Sequence, residues 1–108
     1  MKVSSYQAGG AWVLCPREAI TQAECDELRN MADESSASGG GTLMIDLTEV
    51  PFIDSAGLEM FLELSRNFRE QGGRLKLAGL NEICEEIFRL TDLTERFEIY
   101  PSVEKAAK

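Results

Sequence analysis

Apolar residues along this chain fall into short runs separated by longer amphipathic stretches. Residues 3–7 read as a short strand, and Gly9-Gly10 after them is a hairpin turn signal. Residues 11–15 (AWVLC) form a second apolar run, stopped by Pro16, and are expected to pair antiparallel with the first. Thr21 is a candidate N-cap with Glu24 completing a capping box, and Ala23, Leu28, Met31 and Ala32 give the helix that follows its apolar stripe. The Ser/Gly-rich residues 35–41 end that helix as a loop within one domain. Residues 42–47 (TLMIDL) are too short for a helix and almost wholly apolar, so they predict a buried strand. A bend over 48–51 then leads to Phe52-Ile53, which are expected to return to the core.

The next helix begins at Asp54 or Ser55. Leu58, Phe61, Leu62 and Phe68 share one face, Met60 and Leu64 widen it, and Gly72-Gly73 stops it. Arg74 to Ala78 alternates polar and apolar as a strand. Asn81 caps a helix whose buried face is expected to carry Ile83, Ile87 and Leu90, with Cys84 and Phe88 beside them. Residues 97–100 predict a last strand and 103–107 a terminal helical turn. The order ββαβαβαβα implies an α/β fold in one domain, 1–108: a mostly parallel sheet built by right-handed crossovers, one antiparallel N-terminal strand, and helices packed on the sheet.

Charge narrows the partners. Nineteen acids against eleven bases give a net charge of −8, with no Lys/Arg cluster, which argues against nucleic acid and against an anionic membrane surface. A basic or mixed-charge protein partner is compatible. The three cysteines, Cys15, Cys25 and Cys84, form no CxxC pair, so reduced cytoplasmic thiols are expected, with Cys15 in the core. Neither a signal peptide nor a membrane span is expected.

There is no histidine, which removes the commonest general base and metal ligand and every Ser/His/Asp or Cys/His arrangement. No glycine-rich nucleotide motif follows a strand. No cofactor, metal or catalytic residue is therefore expected. Glu24, Asp26, Glu27, Glu82, Glu85 and Glu86 read as solvated surface, Trp12, Met44 and Met60 as packing, and Cys84 as an unreactive thiol. What remains is Phe52-Ile53-Asp54-Ser55-Ala56-Gly57-Leu58, where a strand exit meets a helix start. Free backbone N–H groups and the helix dipole favour an anion there. A phosphate on Ser55 would be accepted by the helix and opposed by Asp54. The same residues also suit a purely structural role, with Asp54 or Ser55 as N-cap and Gly57 for close packing.

The stretch Ile53-Asp54-Ser55-Ala56-Gly57-Leu58 resembles the Asp-Ser-Ser/Thr-Gly-Leu signature of the STAS domains of bacterial anti-sigma factor antagonists. Asp46-Leu47-Thr48-Glu49-Val50, Gln71-Gly72-Gly73-Arg74-Leu75-Lys76-Leu77 and Phe88-Arg89-Leu90-Thr91-Asp92-Leu93 are similar to further family segments in the same order. The resemblance implies a non-enzymatic cytoplasmic switch. Its partner would be an anti-sigma factor that is also a serine kinase. That kinase would phosphorylate Ser55 and so end binding, and a serine phosphatase would reverse the change. The implied partner surface comprises Thr21, Asp54, Ser55, Ala56, Gly57 and Leu58, on a domain expected to be a monomer when free. STAS domains also serve in lipid-transport and stress-signalling complexes, where the serine can be a plain cap. Three positions depart from the pattern. Ala56 replaces the second hydroxyl, Thr21 replaces an acid of the partner surface, and Asp92 stands where glycine is usual.

Overall fold

Gly9 and Gly10 both adopt positive φ (59° and 81°), the geometry of a two-residue hairpin turn that other residues enter only at a cost. They join β1 (Val3–Ala8) to β2 (Ala11–Pro16) in the computed structural model, which describes residues 2–36 and 41–107. Then follow α1 (Gln22–Ser36), β3 (Thr42–Asp46), α2 (Ser55–Glu70), β4 (Arg74–Ala78), α3 (Glu82–Leu90), a 3-10 turn (Thr94–Arg96), β5 (Glu98–Tyr100) and α4 (Val103–Ala106). Among the described residues the five strands form one sheet in the order β1-β2-β3-β4-β5, in which the β1–β2 pair is antiparallel and the other neighbours are parallel. The expected α/β architecture is the observed one. Positions 37–40 of the expected loop lie outside the described residues.

Side chains alternate across the strands, so the sheet divides the interior in two. Leu14, Leu43, Ile45, Leu75 and Leu77 face α1, α2 and α3 in the main core, with Phe61 and Phe88 buried among them. Val13, Met44 and Ala78 face the other way, into a smaller cluster closed by Ala106 of α4. Lys76 shares that second face. The polar/apolar alternation of β4 sets Lys76 on the face opposite Leu75 and Leu77, yet Lys76 is only 8% exposed. Its ammonium donates to the carbonyl of Ala106 (2.6 Å) and lies 5.2 Å from the Tyr100 ring centre. A cation thus meets the C-terminal carbonyl end of α4 and pins it to the sheet.

Four packing expectations are corrected. Ala23 is exposed, and the inner stripe of α1 is Cys25, Leu28 and Ala32. Cys15 is half-buried rather than core, because its side chain sits beside the carboxylate of Asp46 at the sheet margin (3.8 Å). Phe52 is 45% exposed while Ile53 is buried, because residues 52–53 run extended and send successive side chains to opposite sides. In α3 the inner pair is Cys84 and Phe88, whereas Ile83 (59%) and Leu90 (70%) are exposed. The rotation is set at the start of that helix. Asn81 Nδ2 and Cys84 Sγ both approach the Val50 carbonyl (2.9 and 3.5 Å), which turns Cys84 inward and carries Phe88 with it at i+4.

Helices α2 and α3 end alike. Gly72 (φ 81°) follows α2, and Gly73 N–H donates back to Phe68 O (2.7 Å); Asp92 (φ 58°) follows α3, and Leu93 N–H donates back to Phe88 O (2.8 Å). Asp92 is thus a non-glycine residue at the left-handed position of the stop. Asp92→Gly is expected to raise stability by about 0.5–1 kcal/mol, since relief of the left-handed strain outweighs the entropy glycine adds to the unfolded chain. Urea denaturation checks it; a lowered midpoint would mean the aspartate side chain favours the turn.

Candidate functional site

Two chain segments meet where the first two helices of the sheet's main face begin. The residue before Thr21 and the residue before Asp54 form a parallel bridge, Ile20 with Ile53. Ile20 N–H donates to Phe52 O (3.1 Å), and Asp54 N–H donates to Ile20 O (3.0 Å). The bridge brings the N-termini of α1 and α2 side by side, with their dipoles pointing the same way out of the protein.

One carboxylate serves both. Asp54 Oδ1 accepts from Gly57 N–H of α2 (2.8 Å), and Asp54 Oδ2 accepts from Gln22 N–H of α1 (3.1 Å). Of the two candidates, Asp54 is therefore the cap of α2, and it also caps a helix that begins 32 positions earlier. The capping box at Thr21 is only half formed. Glu24 Oε1 accepts from Thr21 N–H (3.2 Å) and from its hydroxyl (2.7 Å), while Glu24 N–H goes to the Thr21 carbonyl (3.0 Å). With the threonine hydroxyl turned to Glu24, Asp54 supplies the acceptor for the first turn. No sequence signal could have announced this, because it depends on the register of two distant segments.

Ser55 is the first residue of α2 and is exposed; Thr21, Asp54 and Ala56 are half-buried around it. Gly57 and Leu58 lie beneath that surface, buried against the core. A Cβ on Gly57 would sit 2.7 Å from Ile53 Cγ2 and 2.9 Å from the Ile20 carbonyl oxygen. Glycine here lets the Ile20 segment lie directly on α2. Gly57→Ala is expected to cost about 1–2 kcal/mol although alanine is the better helix former by about 1 kcal/mol, because backbone as well as side-chain atoms would have to move. A thermal denaturation series checks the sign; a stabilised variant would show that the segment yields.

Other chemistry is thin. Burial pushes the Cys84 thiol up, and burial together with the charge of Asp46 does the same for Cys15. Cys25 is likewise raised, mainly by burial. These shifts disfavour the thiolate that nucleophilic chemistry needs. Among the described residues no group of three or more Cys, Asp or Glu could hold a metal ion, and no helix is long and apolar enough to cross a membrane. An open cleft between α3 and β5, lined by Leu80, Glu82, Glu85 and Tyr100 among others, does not include Ser55.

The family model for the STAS domain matches residues 2–106. The chain belongs to the STAS domain family. A 60-residue stretch is 38% identical to the anti-sigma-B factor antagonist of Listeria monocytogenes, an alignment covering 56% of this chain and 53% of that protein. The structure is similar to that of TM1081 from Thermotoga maritima, with a TM-score of 0.88 at 20% identity over 96% of this chain and 90% of that one. It is also similar to the phosphorylated form of the Bacillus cell-fate determinant SpoIIAA, with a TM-score of 0.73 at 16% identity over 97% and 96% of the two chains. At such identities the structural likeness is one of fold. Within the STAS fold, the paired helix starts around Asp54 and Ser55 form an exposed surface with a hydroxyl on it.

Proposed function

We propose that this STAS domain is an anti-sigma factor antagonist switched at Ser55. Unphosphorylated, it binds an anti-sigma factor that is also a serine kinase, and so regulates sigma-factor-dependent transcription in the cytoplasm. Phosphorylation of Ser55 by that partner ends binding, and a serine phosphatase restores it. The name of the Listeria monocytogenes relative and the phosphorylated state of SpoIIAA support the reading. The observation that carries it is local: Ser55 is exposed on the first turn of α2, next to a carboxylate whose two oxygens are already committed.

The contact surface in this reading is Thr21, Asp54, Ser55 and Ala56, with Gly57 and Leu58 shaping it from beneath. With Ala56 in place of a hydroxyl, Ser55 is the acceptor on this turn. With Thr21 in place of an acid, Asp54 and Glu24 supply the negative charge near the start of α1. A phosphate would add nearly two negative charges beside Asp54. Asp54 is held by two N–H groups, so the added charge and bulk would stay at the surface, where a partner packed against Ser55 would meet both. The test is to incubate the purified chain with each serine-kinase anti-sigma factor of its source organism and Mg-ATP, then measure intact mass and complex formation by gel filtration. One phosphate added to wild type and none to Ser55→Ala, with a complex that dissociates on phosphorylation, is expected. Modification elsewhere, or no complex with any such kinase, would overturn the reading.

A further inference from the structure

Strand β1 is an edge strand of six residues, Val-Ser-Ser-Tyr-Gln-Ala, and it carries no charge and no proline in a chain whose residues are 28% charged. Sheet edges are ordinarily blunted by charges, prolines, bulges or covering segments, because an open row of N–H and C=O groups recruits another strand. The two-residue turn makes Ala8 and Ala11 a hydrogen-bonded pair, so every second residue of β1 is bonded to β2. Two observations fix the same phase. Arg17 N–H donates to Lys2 O (3.0 Å) at one end of the ladder, and Val3 lies opposite Pro16, which has no N–H to give. The backbone groups of Val3, Ser5 and Gln7 therefore point away from β2. All six residues pair with β2 without interruption, so no bulge turns the row aside.

We infer that β1 pairs antiparallel with β1 of a second copy of this chain, about a two-fold axis at Ser5, joining two five-stranded sheets into one. The strand fits itself. With Ser5 opposite Ser5, Val3 meets Gln7 and Ser4 meets Tyr6, so the three outward-facing residues of each copy exchange bonds with those of the other. Such isologous pairing is the closed arrangement that one self-complementary patch produces. It also answers the charge problem. Two bodies of −8 repel, and β1 itself sets no like charges opposite one another across the pairing. Tyr6, 43% exposed on β1, gains a neighbour across the seam. The shallow groove beside the edge, lined by Ser5, Trp12, Leu14, Met31, Glu34 and Ser35, flanks the same seam. Ser55 lies on the connection after β3, two strands away in the sheet, so the dimer leaves the proposed switch open. The domain is then not a monomer when concentrated.

The experiment is sedimentation equilibrium over a concentration series, on wild type and on Ser5→Pro. Proline removes the outward N–H of Ser5 and leaves the bonds to β2 intact, as an edge strand permits. Each dimer would lose two interchain bonds, so its dissociation constant is expected to rise about 30-fold or more. Amide exchange on wild type is the second readout and needs no variant: the N–H groups of Val3, Ser5 and Gln7 should gain protection as concentration rises, while those of Ser4 and Tyr6 stay unchanged. Wild type that remains monomeric at millimolar concentration, or a dimer in which those three amides stay unprotected, would overturn the inference.

Discussion

Ser55→Asp is expected to weaken binding of the kinase anti-sigma factor at least about 100-fold while leaving the domain folded. The size follows from where the charge lands. Ser55 is exposed on the proposed contact surface, and the carboxylate beside it cannot swing away without uncapping α1 or α2. A buried like-charge clash or an unpaired charge in an interface costs several kcal/mol, and about 2.7 kcal/mol is already 100-fold. Aspartate brings one charge where phosphate brings nearly two, so phosphorylation itself should weaken binding further. Stability should hardly change. An acid in the first turn of α2 is favoured by the helix dipole by about 0.3–1 kcal/mol, and repulsion from Asp54 offsets part of that. Ser55→Ala should bind within a few-fold of wild type, because it removes an exposed hydroxyl and adds no charge. Calorimetric titration against the purified kinase, paired with thermal denaturation of each variant, reads both quantities. Equal affinity for Ser55→Asp and wild type would remove Ser55 from the interface; a large loss with Ser55→Ala as well would make the hydroxyl a binding group rather than a switch.

Where local pattern sets the structure, the sequence was readable. The Gly9-Gly10 hairpin, the apolar strand β3, the long inner stripe of α2 and the Asn81 cap of α3 are each specified by residues within a turn or two of one another. Where one residue's environment depends on a distant segment, pattern was silent. The stripe of α3 could be drawn through Ile83, Ile87 and Leu90 or through Cys84 and Phe88, and only the bonds to Val50 choose between them. The alternation of β4 does place Lys76 on one face, but that face is dry because α4 returns over it. At the candidate site the motif was legible and its division of labour was not. Asp54 and Ser55 were equal candidates for the cap. The family resemblance put Gly57 and Leu58 on the partner surface, whereas the apolar stripe of α2 and the Ile20 segment lying on Gly57 place both beneath it. The self-complementary edge of β1 combines both cases: its lack of charge is in the sequence, while its phase emerges only once the hairpin register is known.

Asp54→Ala should destabilise the domain by about 2 kcal/mol, and Asp54→Asn by about half as much. A side-chain N-cap contributes about 1 kcal/mol, and Asp54 fills that role for α1 and α2 together. Alanine removes both acceptors. Asparagine keeps one acceptor oxygen for Gly57 N–H but sets an amide N–H₂ against Gln22 N–H, donor against donor, so only one cap survives. The ordering separates a shared cap from a simple loss of negative charge, because both variants remove the same charge. Urea denaturation of the three proteins measures it. If asparagine is as damaging as alanine, the charge at the two helix dipoles matters more than the bonds; if alanine costs less than about 0.5 kcal/mol, water replaces the carboxylate at both ends. The expected ordering bears on the proposed switch. A residue whose two oxygens tie together α1 and α2 fixes the surface around Ser55 before any partner arrives. Phosphorylation there would change the charge of a rigid surface, and release would follow without refolding.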